Sequence, residues 1–157
     1  MASKIYTGRD GKLEYEVGDA IGGGTQTEAL KVKNWTLNTT LQVLNTTTIN
    51  DSHDSFIPGK STYTGSATLL YYQDLGSSVH NVASFLQKGG LTTTSTGVAD
   101  SDKVRLFFRL YDGTEISTGI VLDAYVTSST IAVNTGEIVS VDFNFQGTGK
   151  PIIANFL

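Results

Sequence analysis

Few residues of this chain could do chemistry unaided. Of the two histidines, His53 stands in NDSHDS beside Asp51 and Asp54. Imidazole next to carboxylates could hold a cation or pass a proton. These are neighbours in one polar stretch, however, and no second ligand segment of matching spacing occurs. The cluster therefore reads as a solvated loop tip. His80 lies beside an apolar helical stripe and reads as a rim histidine. The chain has no cysteine, which excludes a disulfide scaffold, a thiolate zinc site and a cysteine nucleophile. GDAIGGG at residues 18–24 lacks the Lys-Ser/Thr of a phosphate loop. Neither G-x-S-x-G nor H-E-x-x-H occurs. Asp100 and Asp102 read as solvated acids before a strand. The expectation is a protein that is not an enzyme and uses no metal or cofactor.

Binding chemistry has two candidates. Arg105 and Arg109 share a strand face with Phe107 and Tyr111. Such a face can stack sugars or single strands, form a cation–π ladder, or meet another protein; a protein interface is the favoured reading. A net charge of −4 with 11 scattered basic residues argues against a nucleic-acid-binding face. The second candidate is a set of uncharged polar stripes: Thr36/Asn38/Thr40/Gln42, Thr62/Thr64/Ser66/Thr68 and Ser140/Asp142/Asn144/Gln146. Ordinary strand edges carry Lys or Glu as guards against pairing with another chain, and those guards are missing. This points to self-assembly.

The elements that position these residues are mostly strands. A chain of 157 residues, 39% hydrophobic, suits one domain over residues 1–157. Leu13, Tyr15 and Val17 alternate with Glu14 and Glu16, a half-buried strand. From Leu30 to Leu44 the alternation changes phase, and a bulge near Lys33-Asn34 would return Trp35, Leu37, Leu41 and Val43 to one face. Residues 45–58 form a long polar loop or hairpin. Tyr63, Gly65, Ala67, Leu69 and Tyr71 share the next inward face. Val79, Val82, Ala83 and Leu86 give one short helix. Val104, Leu106, Phe108 and Leu110 alternate in a strand that Asp112-Gly113 turns into the next. Strands over 116–127 and 137–146 follow, the last with Val141, Phe143 and Phe145 inward. GTGKPIIANFL reads as a tail. The expected architecture is mainly β: an antiparallel sandwich or partial barrel with one short α-helix. No apolar run approaches the roughly 18 residues of a membrane span. The N-terminal MASKIYTGRDGK lacks a signal peptide's apolar stretch, so synthesis in the cytoplasm is expected.

VKNWTLNTTLQVLNTTT, an Asp/Ser loop and FIPGKSTYTGSATLLYY together resemble bacteriophage tail tube (major tail) proteins, relatives of contractile injection system tubes. The matching residues are Trp35, Leu37, Thr46 to Thr48, Phe56, Pro58, Gly59, Tyr63, Gly65 and Tyr71. The resemblance implies a hexameric ring that stacks into a tube, each subunit giving about four strands to one inner barrel. About 24 strands at ~4.8 Å spacing and ~40° tilt give a backbone diameter of roughly 48 Å, wide enough for duplex DNA. A neutral or acidic wall lets DNA slide without specific binding, whereas a basic one would hold it. On this resemblance the lumen candidates are Thr36, Asn38, Thr62, Thr64, Asp123, Asp142 and Asn144. The inter-ring loop (45–60) offers Asp51, His53, Asp54 and Phe56. The N-terminal segment and the C-terminal tail, with Ile152, Ile153, Phe156 and Leu157, would lap neighbouring subunits. Implied partners are other copies of the chain, tape-measure, tail terminator and baseplate or initiator proteins, and sheath if the tail contracts. The location would be the virion tail, assembled in the host bacterial cytoplasm. The rival is a monomeric β-sandwich carbohydrate-binding or adhesion module using Tyr63, Tyr71, Phe107 and Tyr111 as stacking platforms.

Overall fold

Alternating apolar and polar residues build six strands: β1 (Gly11–Val17), β2 (Val32–Asn45), β3 (Phe56–Leu70), β4 (Val104–Asp112), β5 (Glu115–Ala132) and β6 (Ser140–Ala154). They are seen in a computed structural model that describes residues 7–8, 11–17, 31–71, 98–112 and 115–154. The expected helix around Val79–Leu86, the glycine-rich 18–24 segment, Phe156 and Leu157 lie outside the described residues.

The strands form one sheet in the order β1-β4-β5-β6-β3-β2, and every neighbouring pair is antiparallel. The sheet rolls up as a partial barrel. Trp35 of β2 packs on Phe108 of β4 with ring centroids 5.0 Å apart, although three strands separate β2 from β4 in the sheet. A Cβ on Gly11 of β1 would stand 3.4 Å from the Trp35 indole nitrogen, so the two edge strands converge across the core. Inside sit Leu13, Tyr15, Leu69, Leu106, Phe108, Leu122, Val141, Phe143 and Phe145, all buried. The expected bulge is present: the β2–β3 register shifts between Val32 and Asn34, and Val32, Trp35 and Leu37 then share the core side. Gly65 is required where β3 crosses the core, because a Cβ there would collide with the Thr36 carbonyl and the Phe145 ring.

Three expectations change. β1 is not half-buried: Glu16 is buried, and Glu14 makes an ion pair of 2.8 Å with Arg109. The face of β4 carrying Phe107 and Arg109 is likewise covered within the chain, with the Arg109 guanidinium 5.1 Å over the Phe107 ring. Arg109 stacks on Phe107 of its own strand and pairs across to Glu14 of β1, so the face is not a free protein interface. Finally, residues 147–154 are not a tail. They continue β6, pairing Ile152 with Val121 and Ile153 with Ile120.

β3 and β6 are paired from Thr64↔Gln146 to Leu70↔Ser140, and then they part. β2 and β3 continue together to Asn45↔Phe56. The result is a two-stranded arm. At about 3.3 Å per residue, the eight residues Phe56 to Tyr63 carry it about 26 Å past the last β3–β6 pair.

Candidate assembly surfaces

The outer face of β5, β6, β3 and β2 is a continuous field of hydroxyl and amide groups. Antiparallel pairing puts Thr36 opposite Ser66, Thr68 opposite Asp142, and Asn144 opposite Ser128. Their side chains bond sideways across the strands. Thr36 and Ser66 share a hydrogen bond of 3.0 Å. Thr68 donates to Asp142 at 2.6 Å, and the Asn144 amide donates to Ser128 at 2.8 Å. Each bond occupies donors and acceptors that would otherwise reach outward. Asn38, Thr62 and Thr64 lie exposed in the same field. Asp123 shares the face but stands at its border with β4. There its carboxylate takes the Arg105 guanidinium in two hydrogen bonds of 2.7 and 3.2 Å. That contact holds the Arg105 pKa above its ordinary value.

Both borders of this four-strand field are open among the described residues. β2 has β3 on one side only. β5 pairs with β4 as far as Ala124, which leaves 125–132 paired to β6 alone. Strand direction alternates across the field: β5 and β3 run away from the arm, β6 and β2 toward it. A second copy placed edge to edge would set its β5 antiparallel to β2 and carry the same polar face onward.

The arm is the opposite kind of surface. Leu41, Val43, Leu44, Phe56 and Ile57 are all about half exposed, and Ile49 at the tip is fully exposed. Sequence reasoning placed Phe56 in the inter-ring loop and passed over Leu44, Ile49 and Ile57. It put Leu41 and Val43 on the inward face of Trp35 and Leu37, whereas both are exposed on the arm, where a second register shift falls between them. The available signal was Val43-Leu44 and Phe56-Ile57, which are apolar on both parities as no strand with one buried face requires. The tip is held by its own polar groups. Asp51 accepts the Thr48 backbone N–H at 2.6 Å and its hydroxyl at 3.0 Å. These bonds hold the Asp51 carboxyl below its ordinary pKa. The Thr47 hydroxyl accepts the Ser55 N–H at 2.8 Å and reaches Asp54 at 3.4 Å. His53 faces the Ser52 hydroxyl at 3.1 Å. Asp51, His53 and Asp54 thus serve loop geometry, and no metal-binding group of three or more such residues occurs among the described residues. Ile152 and Ile153 are exposed at the end of β6, at the arm's pole of the molecule.

No protein-family model matches the sequence, and comparison with curated proteins finds no significant match. Solved structures do match, over nearly the whole chain. A chain of the SPP1 tail tube superposes with a TM-score of 0.68 at 11% identity, covering 98% of this chain and 81% of that one. The chain has the tail-tube fold. A chain of the sixfold-symmetrised anti-feeding prophage baseplate gives 0.67 at 10% identity, covering 99% and 98%. A chain of the native gene transfer agent virion gives 0.66 at 9%, covering 96% and 99%. Within the tail-tube fold, the lumen candidates Thr36, Asn38, Thr62, Thr64, Asp142 and Asn144 share one face. The loop candidates lie on the arm, and Ile152 and Ile153 lie at its base.

Two of the aromatic residues of the binding-module reading, Phe107 and Tyr63, do not share a platform. Phe107 is covered, and Tyr63 packs against the core on the other side of the sheet.

Proposed function

We propose that this protein is a structural subunit of a tail tube, in a phage or a related injection device. Copies would join edge to edge into a hexameric ring, and rings would stack into a hollow conduit through which duplex DNA passes without specific binding. The observation that carries this reading is the four-strand polar field whose two borders, of opposite strand direction, are open among the described residues. Six such fields supply about 24 strands, the number that makes a barrel roughly 48 Å across. The sixfold symmetry named for the anti-feeding prophage baseplate supports the same count. The polar field would line the lumen, its side chains engaged with one another rather than with phosphate. The arm would reach the adjacent ring through residues 45–60, and the end of β6 would lap a neighbour.

Terminator, cap, baseplate and sheath chains belong to the assemblies in which structures of this fold occur, and partners of that kind fit a tube subunit. The location would be the virion tail.

Negative-stain electron microscopy of the purified protein at high and low concentration tests the proposal. Hollow tubes or rings of uniform width are expected. A protein that stays monomeric at every concentration, and also with its initiator complex, would overturn it. Asp54→Arg is expected to shorten tubes and leave the fold intact; tubes of normal length would remove the tip from the inter-ring contact.

A further inference from the structure

Two further apolar surfaces stand out among the described residues. One is a cleft of about 330 Å³ in the fork between the arm and the end of β6, lined by Leu37, Leu41, Tyr63, Ile120, Pro151 and Ile153. The other is the turn between β5 and β6, where Val133 is 71% and Ile138 72% exposed.

The register puts them at opposite poles. Leu70 pairs with Ser140 beside the turn, whereas Asn45↔Phe56 and Gly119↔Ala154 lie at the arm's end. The turn is already shaped. The Glu137 N–H donates to the Asn134 carbonyl at 3.2 Å, and the Asn134 amide donates to the Glu137 carboxylate at 3.1 Å. Gly136 supplies the left-handed φ of 85°. Little ordering is therefore needed for it to bind. Charge is complementary as well. Glu137 crowns the turn, while exposed Lys60 and Lys150 adjoin the cleft residues Ser61 and Pro151. In copies stacked in one orientation, unlike patches at opposite poles meet head to tail, and such a contact propagates along the stack.

We propose that the β5–β6 turn of one copy seats in the arm-base cleft of the copy stacked against it, with Val133 and Ile138 as the inserted side chains. This rests on the stacked-ring reading and supplies a receiving surface that the arm's reach does not specify. Burial of two exposed aliphatic side chains in an apolar cleft is the driving force, and the Glu137–lysine pairing orients it.

The chain has no cysteine, so introduced thiols are its only ones. Ile138→Cys with Ile153→Cys, assembled and treated with a short bis-maleimide, is expected to give a denaturation-resistant ladder of dimers, trimers and higher multimers. Each single variant should give no ladder. Tubes that form without cross-links would overturn the contact and leave the tube reading standing. Cross-linking that stops at dimers would overturn it too, since a head-to-tail contact continues. A wild-type chain that forms no tubes would remove both. Independently, Ile138→Asp should leave rings intact and shorten tubes about tenfold, because a carboxylate would enter an apolar cleft. Normal tubes in that variant would also overturn the proposal.

Discussion

β4 and the arm follow the same local pattern and meet opposite fates. In β4, Phe107 and Phe108 are adjacent apolar residues, and both are buried, one on each face of the sheet. In the arm, Val43-Leu44 and Phe56-Ile57 are equally adjacent and apolar, and all four remain about half exposed. β3 passes from one condition to the other within a single strand, exposed from Phe56 to Thr62 and alternately buried after Gly65. Apolar residues on both parities therefore announce that both faces will be covered. They do not say whether the cover comes from the same chain.

The sharpest way to break the comparison is to hollow out its covered side. Phe108→Ala is expected to cost about 3–5 kcal/mol, since Phe108 packs on both Trp35 and Phe145. Urea unfolding of the unassembled subunit would measure it. Glu14→Ala removes the carboxylate 2.8 Å from buried Arg109 and should cost about 3 kcal/mol by the same assay. On the arm, Leu44→Ser with Ile57→Ser should change subunit stability by no more than about 0.5 kcal/mol while abolishing long tubes. If it cost as much as Phe108→Ala, the arm would have to be packed in the free subunit, and the contrast would fail.

The smallest expected effect is acid loosening of the tip. Asp51 has a lowered folded-state pKa. Its contribution is complete above the ordinary carboxylate range and is lost as the pH falls through the lowered value. Amide exchange at Thr48 should rise over that window, and Asp51→Asn should remove the pH dependence.

The phase change in β2 was legible because Lys33-Asn34 separates two clean alternating runs, and a bulge is the one device that reunites them. The polar field was legible because the stripes on β2, β3 and β6 alternate without interruption. The end of β6 was not. Glycine and proline in GTGKPII signal a chain leaving the sheet, yet Gly149 adopts a φ of 74° and the strand resumes its pairing with β5. Between Thr148↔Asp123 and Ile152↔Val121, β6 spends more residues than β5 and absorbs Gly149, Lys150 and Pro151 in a bulge. What restores the strand is a partner about thirty residues earlier in the chain, which no local pattern reveals. The expectation for Arg105 and Arg109 went astray for a related reason: their carboxylate partners, Asp123 and Glu14, lie on other strands.

The arm stands at one pole of the molecule and the β5–β6 turn at the other. Any polymer built by stacking such subunits is polar, like a filament with a plus and a minus end. One terminus displays arms and the other displays turns, whatever its length. Growth and arrest then become separate chemical problems. A nucleating complex must imitate only one rim, and a capping protein only the other.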